Sequence, residues 1–148
     1  MLRVVKYVFL IGLAIFIIIQ FVPVNRENPK VDSASTLQAP ESVHSVLKRS
    51  CYDCHSNETQ WPIYSYVAPV SWLVAHDVHE GREHLNFSIW NEYPPEARTY
   101  FKGQMIREIE AEGMPLPIYL IMHRDARIQD TDFDTLKNWA EIGDIHTD

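Results

Sequence analysis

The sequence predicts a mainly α-helical protein, with an N-terminal transmembrane helix followed by one small helical domain. Three observations carry this. From Tyr7 to Val22 the chain is apolar except for Tyr7 and Gln20, with no other ionisable side chain between Lys6 and Arg26. Beyond Pro40, apolar residues recur at helical spacing between cap and stop signals, and no segment alternates cleanly enough for a strand. The length, 148 residues, suits one ordinary domain.

Taken as a helix from Val4 to Val24, the first segment reaches about 31 Å, the thickness of a bilayer's hydrocarbon core. Arg3 and Lys6 precede it and Arg26 alone follows, so the positive-inside rule keeps the N-terminus cytoplasmic and exports the rest. A cleaved signal peptide would have a shorter apolar region ending in small residues. Here the exit is Phe21-Val-Pro-Val-Asn25, bulky where a peptidase needs small side chains. Residues 1–24 are therefore expected to be a retained anchor. Residues 25–40, rich in Pro, Asn, Ser and charge, read as a flexible linker with a root-mean-square reach of roughly 20–24 Å. That leaves 41–148 as the folded domain.

Within it, Pro40-Glu41-Ser42 opens a helix carrying Val43, Val46 and Leu47, with Lys48 and Arg49 near its end. Trp61 to Pro69 is an aromatic, proline-punctuated loop. Ser71 to Leu85 has Trp72, Leu73, Ala75, Val78 and Leu85 at helical spacing. Pro94-Pro95-Glu96 starts a helix running to about Ala111, with Tyr100, Phe101, Met105, Ile106 and Ile109 on one stripe and Gly113 as its stop. Leu116 to Met122 is a short helix. Asp130-Thr131-Asp132 caps a last helix containing Phe133, Leu136, Trp139, Ala140 and Ile142, ended by Gly143.

Charge and composition exclude several classes. All 20 acidic residues lie from Glu27 onward, against ten basic ones there, a balance of −10. That is unlike a general nucleic-acid binder, and suits either simple solubility or a partner with a positive face. Two cysteines are too few for a disulfide framework. No hydrolytic triad, phosphate loop or paired-carboxylate constellation stands out, so enzymatic chemistry is not expected.

Both cysteines fall in Cys51-Tyr52-Asp53-Cys54-His55, the Cys-x-x-Cys-His signature for attachment of a c-type haem. Two intervening residues bring the thiols onto one helical turn, where each can meet one vinyl group of a single porphyrin edge. The next residue then supplies the proximal imidazole. Thiol–disulfide motifs instead open a helix after a strand, whereas a helix leads into this one. A zinc site would want a second cysteine pair. A disulfide across so short a loop is strained and closes little entropy.

An electron carrier needs a second axial ligand, and Met114 is the favoured candidate. It lies in Glu112-Gly-Met-Pro-Leu-Pro117, where two prolines stiffen an irregular stretch, and a thioether there would favour ferrous iron. His76, His79 and His84 cluster and keep bis-histidine ligation open. Their His79-to-His84 spacing of five does not match the four-residue spacing of zinc-protease helices. Met105 and Met122 read as helix-stripe core. Asn57-Glu-Thr59 and Asn86-Phe-Ser88 are glycosylation-type tripeptides read as chance.

Taken together, Cys51-Tyr-Asp-Cys-His-Ser-Asn-Glu-Thr59, Trp61-Pro-Ile-Tyr-Ser65, Pro69-Val-Ser-Trp72, Glu80-Gly-Arg82, Asn86-Phe-Ser-Ile-Trp90, Gly113-Met-Pro-Leu-Pro-Ile-Tyr-Leu120 and His123-Arg-Asp-Ala126 resemble the small single-haem bacterial haem-binding domain family. The likeness runs from about Pro40 to Gly143. It implies a cytochrome c-like helical domain around one covalent haem c, with Cys51 and Cys54 as attachment points and His55 as proximal iron ligand. It also makes Met114 the sixth ligand by position. The expected protein is a monohaem c-type cytochrome, single-pass in the bacterial inner membrane. Its C-terminal domain would lie in the periplasm and pass single electrons to a redox protein partner. Trp61, Tyr64, Trp72 and Trp90 would shield one haem face. The alternatives are a haem-binding sensor or accessory module with an open sixth site, and a Cys-x-x-Cys thiol–disulfide oxidoreductase.

Overall fold

A computed structural model describes residues 1–141, and among these the chain is helical with no strand. The elements are α1 (Leu2–Ile19), α2 (Glu41–Ser50), α3 (Tyr52–His55), α4 (Val70–His84), α5 (Pro95–Glu110), α6 (Tyr119–Met122) and α7 (Asp130–Glu141). Short 3₁₀ turns at Ile63–Tyr66, Phe87–Glu92 and Arg124–Ala126 complete it. The expected Ile142 and Gly143 lie outside the described residues.

α1 is long and apolar enough to cross a membrane, and none of its residues is buried against the rest of the chain. It ends at Ile19, earlier than the Val24 expected, because Gln20, Phe21 and Val22 turn with tighter i to i−3 hydrogen bonds.

The core is built where the sequence periodicity put it. α2 buries Val43, Val46 and Leu47, the i, i+3, i+4 stripe of an amphipathic helix, beside Tyr52, Phe87, Trp90, Ile106 and Leu136. Tyr52 and Phe87 stack with ring centroids 5.2 Å apart, and Trp90 tilts against Trp139 at 6.2 Å. Arg49 near the end of α2 pairs with Asp132 of α7 at 2.6 Å. The same carboxylate accepts the Gln129 N–H at 3.1 Å, half of a capping box at the start of α7.

Four expectations need correcting. Segment 25–40 is not a free tether here: it is a strap laid along the domain. Leu37 is buried and its N–H bonds the Phe87 carbonyl, while Asn91 N–H bonds the Ser35 carbonyl. Asn28 donates to the Thr59 carbonyl at 2.9 Å and Arg26 to the Ser65 carbonyl at 2.7 Å. Second, the buried line of α4 is Ser71, Val78 and Gly81, with Trp72 and Leu73 turned to the exposed side. At Gly81 the inner line carries no side chain because α4 lies so close to Cys54 of α3 that a Cβ would not fit. Third, α5 stops through Glu112, which takes the left-handed conformation (φ 55°), rather than through Gly113. The N–H groups of Gly113 and Met114 then both bond the Glu108 carbonyl. Fourth, Met122 is 66% exposed and no part of the core, because it ends a helix of a single turn. The chance reading of the two Asn tripeptides fits the structure. Asn57 and Asn86 are buried and bond each other at 2.8 Å.

Candidate functional site

The Cys-x-x-Cys-His turn is α3 itself, delivered by α2 and clamped from behind by α4. Gly81 makes the clamp possible: a Cβ there would lie 2.6 Å from the Cys54 carbonyl oxygen and 3.1 Å from the Cys54 Cβ. Close approach places the Gly81 carbonyl 2.9 Å, and the Leu85 carbonyl 3.0 Å, from His55 Nδ1. Nδ1 therefore carries the proton and donates to both, which leaves the Nε2 lone pair free. Burial lowers the His55 pKa, with the two carbonyls opposing the shift, so the imidazole is neutral at neutral pH.

α3 faces a cleft of about 570 Å³, within the size range of cofactor pockets. Cys51, Cys54 and His55 share its wall with Leu85, Phe87, Phe101, Met105, Ile109, Leu116 and Ile128. Both cysteines are free thiols. Burial first, and neighbouring negative charge second, push each thiol up to about 12. A redox dithiol needs one thiol lowered, so this environment weighs against thiol–disulfide exchange. Among the described residues no cluster of three or more His, Cys, Asp or Glu side chains is arranged to hold a metal ion.

Met114 also lines the cleft, 37% exposed, from the loop between α5 and α6. Two latches hold that loop. One is the doubled bond to the Glu108 carbonyl. The other is Tyr119, whose hydroxyl donates to Asp53 Oδ2 at 2.8 Å, inside the Cys-x-x-Cys turn. Burial and the Asp53 charge raise the Tyr119 pKa, so the phenol stays protonated and the latch stays closed across the neutral range. Tyr119 also stacks on His123 with centroids 4.2 Å apart, and His123 Nε2 lies 2.6 Å from the Tyr64 hydroxyl.

The histidines near position 79 separate. His84 reaches the cleft, His79 lines a smaller hollow of about 410 Å³ between the strap and α4, and His76 lies between them and lines both. The proposed aromatic shield is also redistributed. Trp90 is in the core, Trp61 lines the smaller hollow, and neither they nor Tyr64 and Trp72 line the cleft. Phe87, Tyr100, Phe101 and Tyr119 do so instead. Met105, expected as core, packs against the core and lines the cleft as well.

Arg82, next to Gly81, is a hub that its sequence context alone did not reveal. It donates to the Ser56 carbonyl at 2.8 Å, Thr59 Oγ1 at 2.8 Å, Asn28 Oδ1 at 2.6 Å and the Glu27 carbonyl at 3.1 Å. One guanidinium thus joins α4, the loop after α3 and the strap.

A family model described as a haem-binding domain matches residues 14–142, most of the chain. The chain belongs to the haem-binding domain family. No curated protein and no solved structure matches it. Haem-binding chemistry suits the residues present: an apolar cleft, an imidazole with its outer nitrogen already committed to carbonyls, and two protonated thiols on the same wall. The matched span includes the strap, consistent with its many bonds to the domain.

Proposed function

We propose that this haem-binding protein is a membrane-anchored monohaem c-type cytochrome that transfers single electrons in the periplasm. The carrying observation is the shared wall of the cleft, where His55 is pinned through Nδ1 while Cys51 and Cys54 present free thiols one turn apart. Cys51 and Cys54 would hold the haem by thioether bonds, and His55 Nε2 would ligate the iron. The bound haem supplies a one-electron iron centre; the chain supplies its ligands, its dry surroundings and its orientation. The two carbonyls on Nδ1 fix the imidazole's rotation and raise its basicity as a ligand.

The same bonds bear on the sixth ligand. Because Nδ1 faces the Gly81 and Leu85 carbonyls, the Nε2 end of the ring is directed away from those two oxygens. His76 and His84 also line the cleft, but they come from α4, the element whose end already holds His55 Nδ1. Met114 comes from a different element, held by its own latches, and is the residue we assign as the second ligand that would hold the iron. The surplus of acidic residues in the exported part favours a redox partner with a positive face.

The test is redox titration of the full chain beside Met114→Ala. The parent is expected to show a reversible one-electron couple and a sulfur-to-iron charge-transfer band, and to resist carbon monoxide when reduced. Met114→Ala should lose the band, shift to a lower potential and bind carbon monoxide. A parent without a reversible couple would contradict the electron-carrier role. A parent that binds carbon monoxide readily would favour the sensor reading, and an unchanged band in the variant would remove Met114 as ligand.

A further inference from the structure

α1 supplies 18 helical residues, about 27 Å at 1.5 Å per residue, slightly less than a bilayer's hydrocarbon core of about 30 Å. Its exit therefore lies at the membrane interface, and there the domain is attached to it. Gln20, the first polar side chain of the exit, donates from Nε2 to the Ala68 carbonyl at 3.2 Å and accepts the Ala68 N–H on Oε1 at 2.9 Å. Ala68 is thus fixed at the height where α1 leaves the apolar layer. Around it the domain exposes Ile63 (87%), Tyr66, Val67, Val70 and Leu73 to solvent, side chains a water-facing surface has no reason to gather. Arg26 donates to the Ser65 carbonyl and lies over the Tyr66 ring, 4.6 Å from its centroid. That places a cation and an amphipathic ring at the edge of the apolar patch, the pairing that suits lipid headgroups.

We propose that the face formed by Ile63, Tyr66, Val67, Val70 and Leu73 rests in the headgroup–acyl boundary of the bilayer that α1 crosses, so that the domain sits on the membrane in one orientation. The occupant is a phospholipid surface because the patch is continuous with the end of α1. The inference rests on reading α1 as an anchor. It also limits how high the haem cleft can stand. Gly81 is eleven residues along α4 from Val70, at most about 16 Å of helix, so the domain's redox traffic is with partners at the membrane surface.

The test places a nitroxide on the full haem-loaded chain in vesicles of phosphatidylethanolamine and phosphatidylglycerol. Cysteines are introduced singly as Ile11→Cys, Ile63→Cys, Val70→Cys and Glu96→Cys. Relaxation by dissolved oxygen is compared with relaxation by a water-soluble nickel chelate. Labels at 63 and 70 are expected to favour oxygen as the label at 11 does, and the label at 96 to favour nickel. Nickel-accessible labels at 63 and 70, with 11 still in the bilayer, would overturn the seating alone. A nickel-accessible label at 11 would instead overturn the anchor. Protection at 63 and 70 that appears in native membranes but not in the vesicles would make the occupant a protein, and also contradict the proposal.

Discussion

Gly81→Ala is expected to remove most haem incorporation, the largest effect of any substitution outside the Cys-x-x-Cys-His motif. The new methyl would meet the backbone of Cys54, with carbonyl oxygen and carbon at 2.6 and 3.0 Å, and backbone cannot swing aside as a side-chain tip can. Overpacking of this kind costs about 1–3 kcal/mol and forces neighbouring elements apart. The element displaced is α3, so the thiols and His55 move together and the bond from His55 Nδ1 to the Gly81 carbonyl lengthens. Gly103→Ala is the matched control. Its nearest neighbour is the flexible Arg107 guanidinium at 3.4 Å, and alanine is the better helix former by about 1 kcal/mol. Haem content per chain, read by absorbance, should fall steeply in the first variant and hold in the second. Equal content in both would show that the close approach of α4 is not what positions the motif.

Arg82→Ala is expected to loosen the strap and lower stability by roughly 2–4 kcal/mol. The variant deletes four donated bonds at once and leaves the carbonyl of Ser56, a residue with no solvent exposure, without its guanidinium partner. The outer bonds, to Glu27 and Asn28, are exposed and regain water, which is why the loss is smaller than four full charged bonds. For a domain of this size the melting temperature should fall by roughly 6–16 °C. Arg82→Lys keeps the charge but not the planar fork, and should recover only a minor part. Protease cutting within residues 27–36 should rise in step. A variant that melts with the parent would mean that the strap holds without this hub.

Much of this arrangement was legible from sequence because it depends on local signals. The stripe Val43, Val46, Leu47, the proline start of α5 and the acidic start of α7 act within one or two turns, and the structure has those helices within a residue or two of expectation. The motif at Cys51–His55 was equally local. What sequence could not show was close approach between distant elements. Trp72 and Leu73 are the large apolar residues of α4 and so read as its inner face. Where α4 meets α3 the partner surface is the backbone of Cys54, and it leaves room only for Gly81. Residues 25–40 have linker composition, and only the positions of Arg82, Thr59 and Phe87, far along the chain, make them a strap. Tyr119 and Asp53, 66 residues apart, form their latch for the same reason. Their short motifs were visible, but the contact between them was not.

The most direct measurement is acid–acetone extraction of the full chain after production with cytochrome c maturation factors, followed by mass determination of the denatured protein. Thioether bonds at Cys51 and Cys54 predict that the colour stays with the polypeptide and that its mass exceeds the bare chain by one haem. The double variant Cys51→Ser with Cys54→Ser is then expected to release its colour or to carry none. If the unaltered chain gives up all its haem to the solvent, the group is held by ligation alone and the covalent account is wrong.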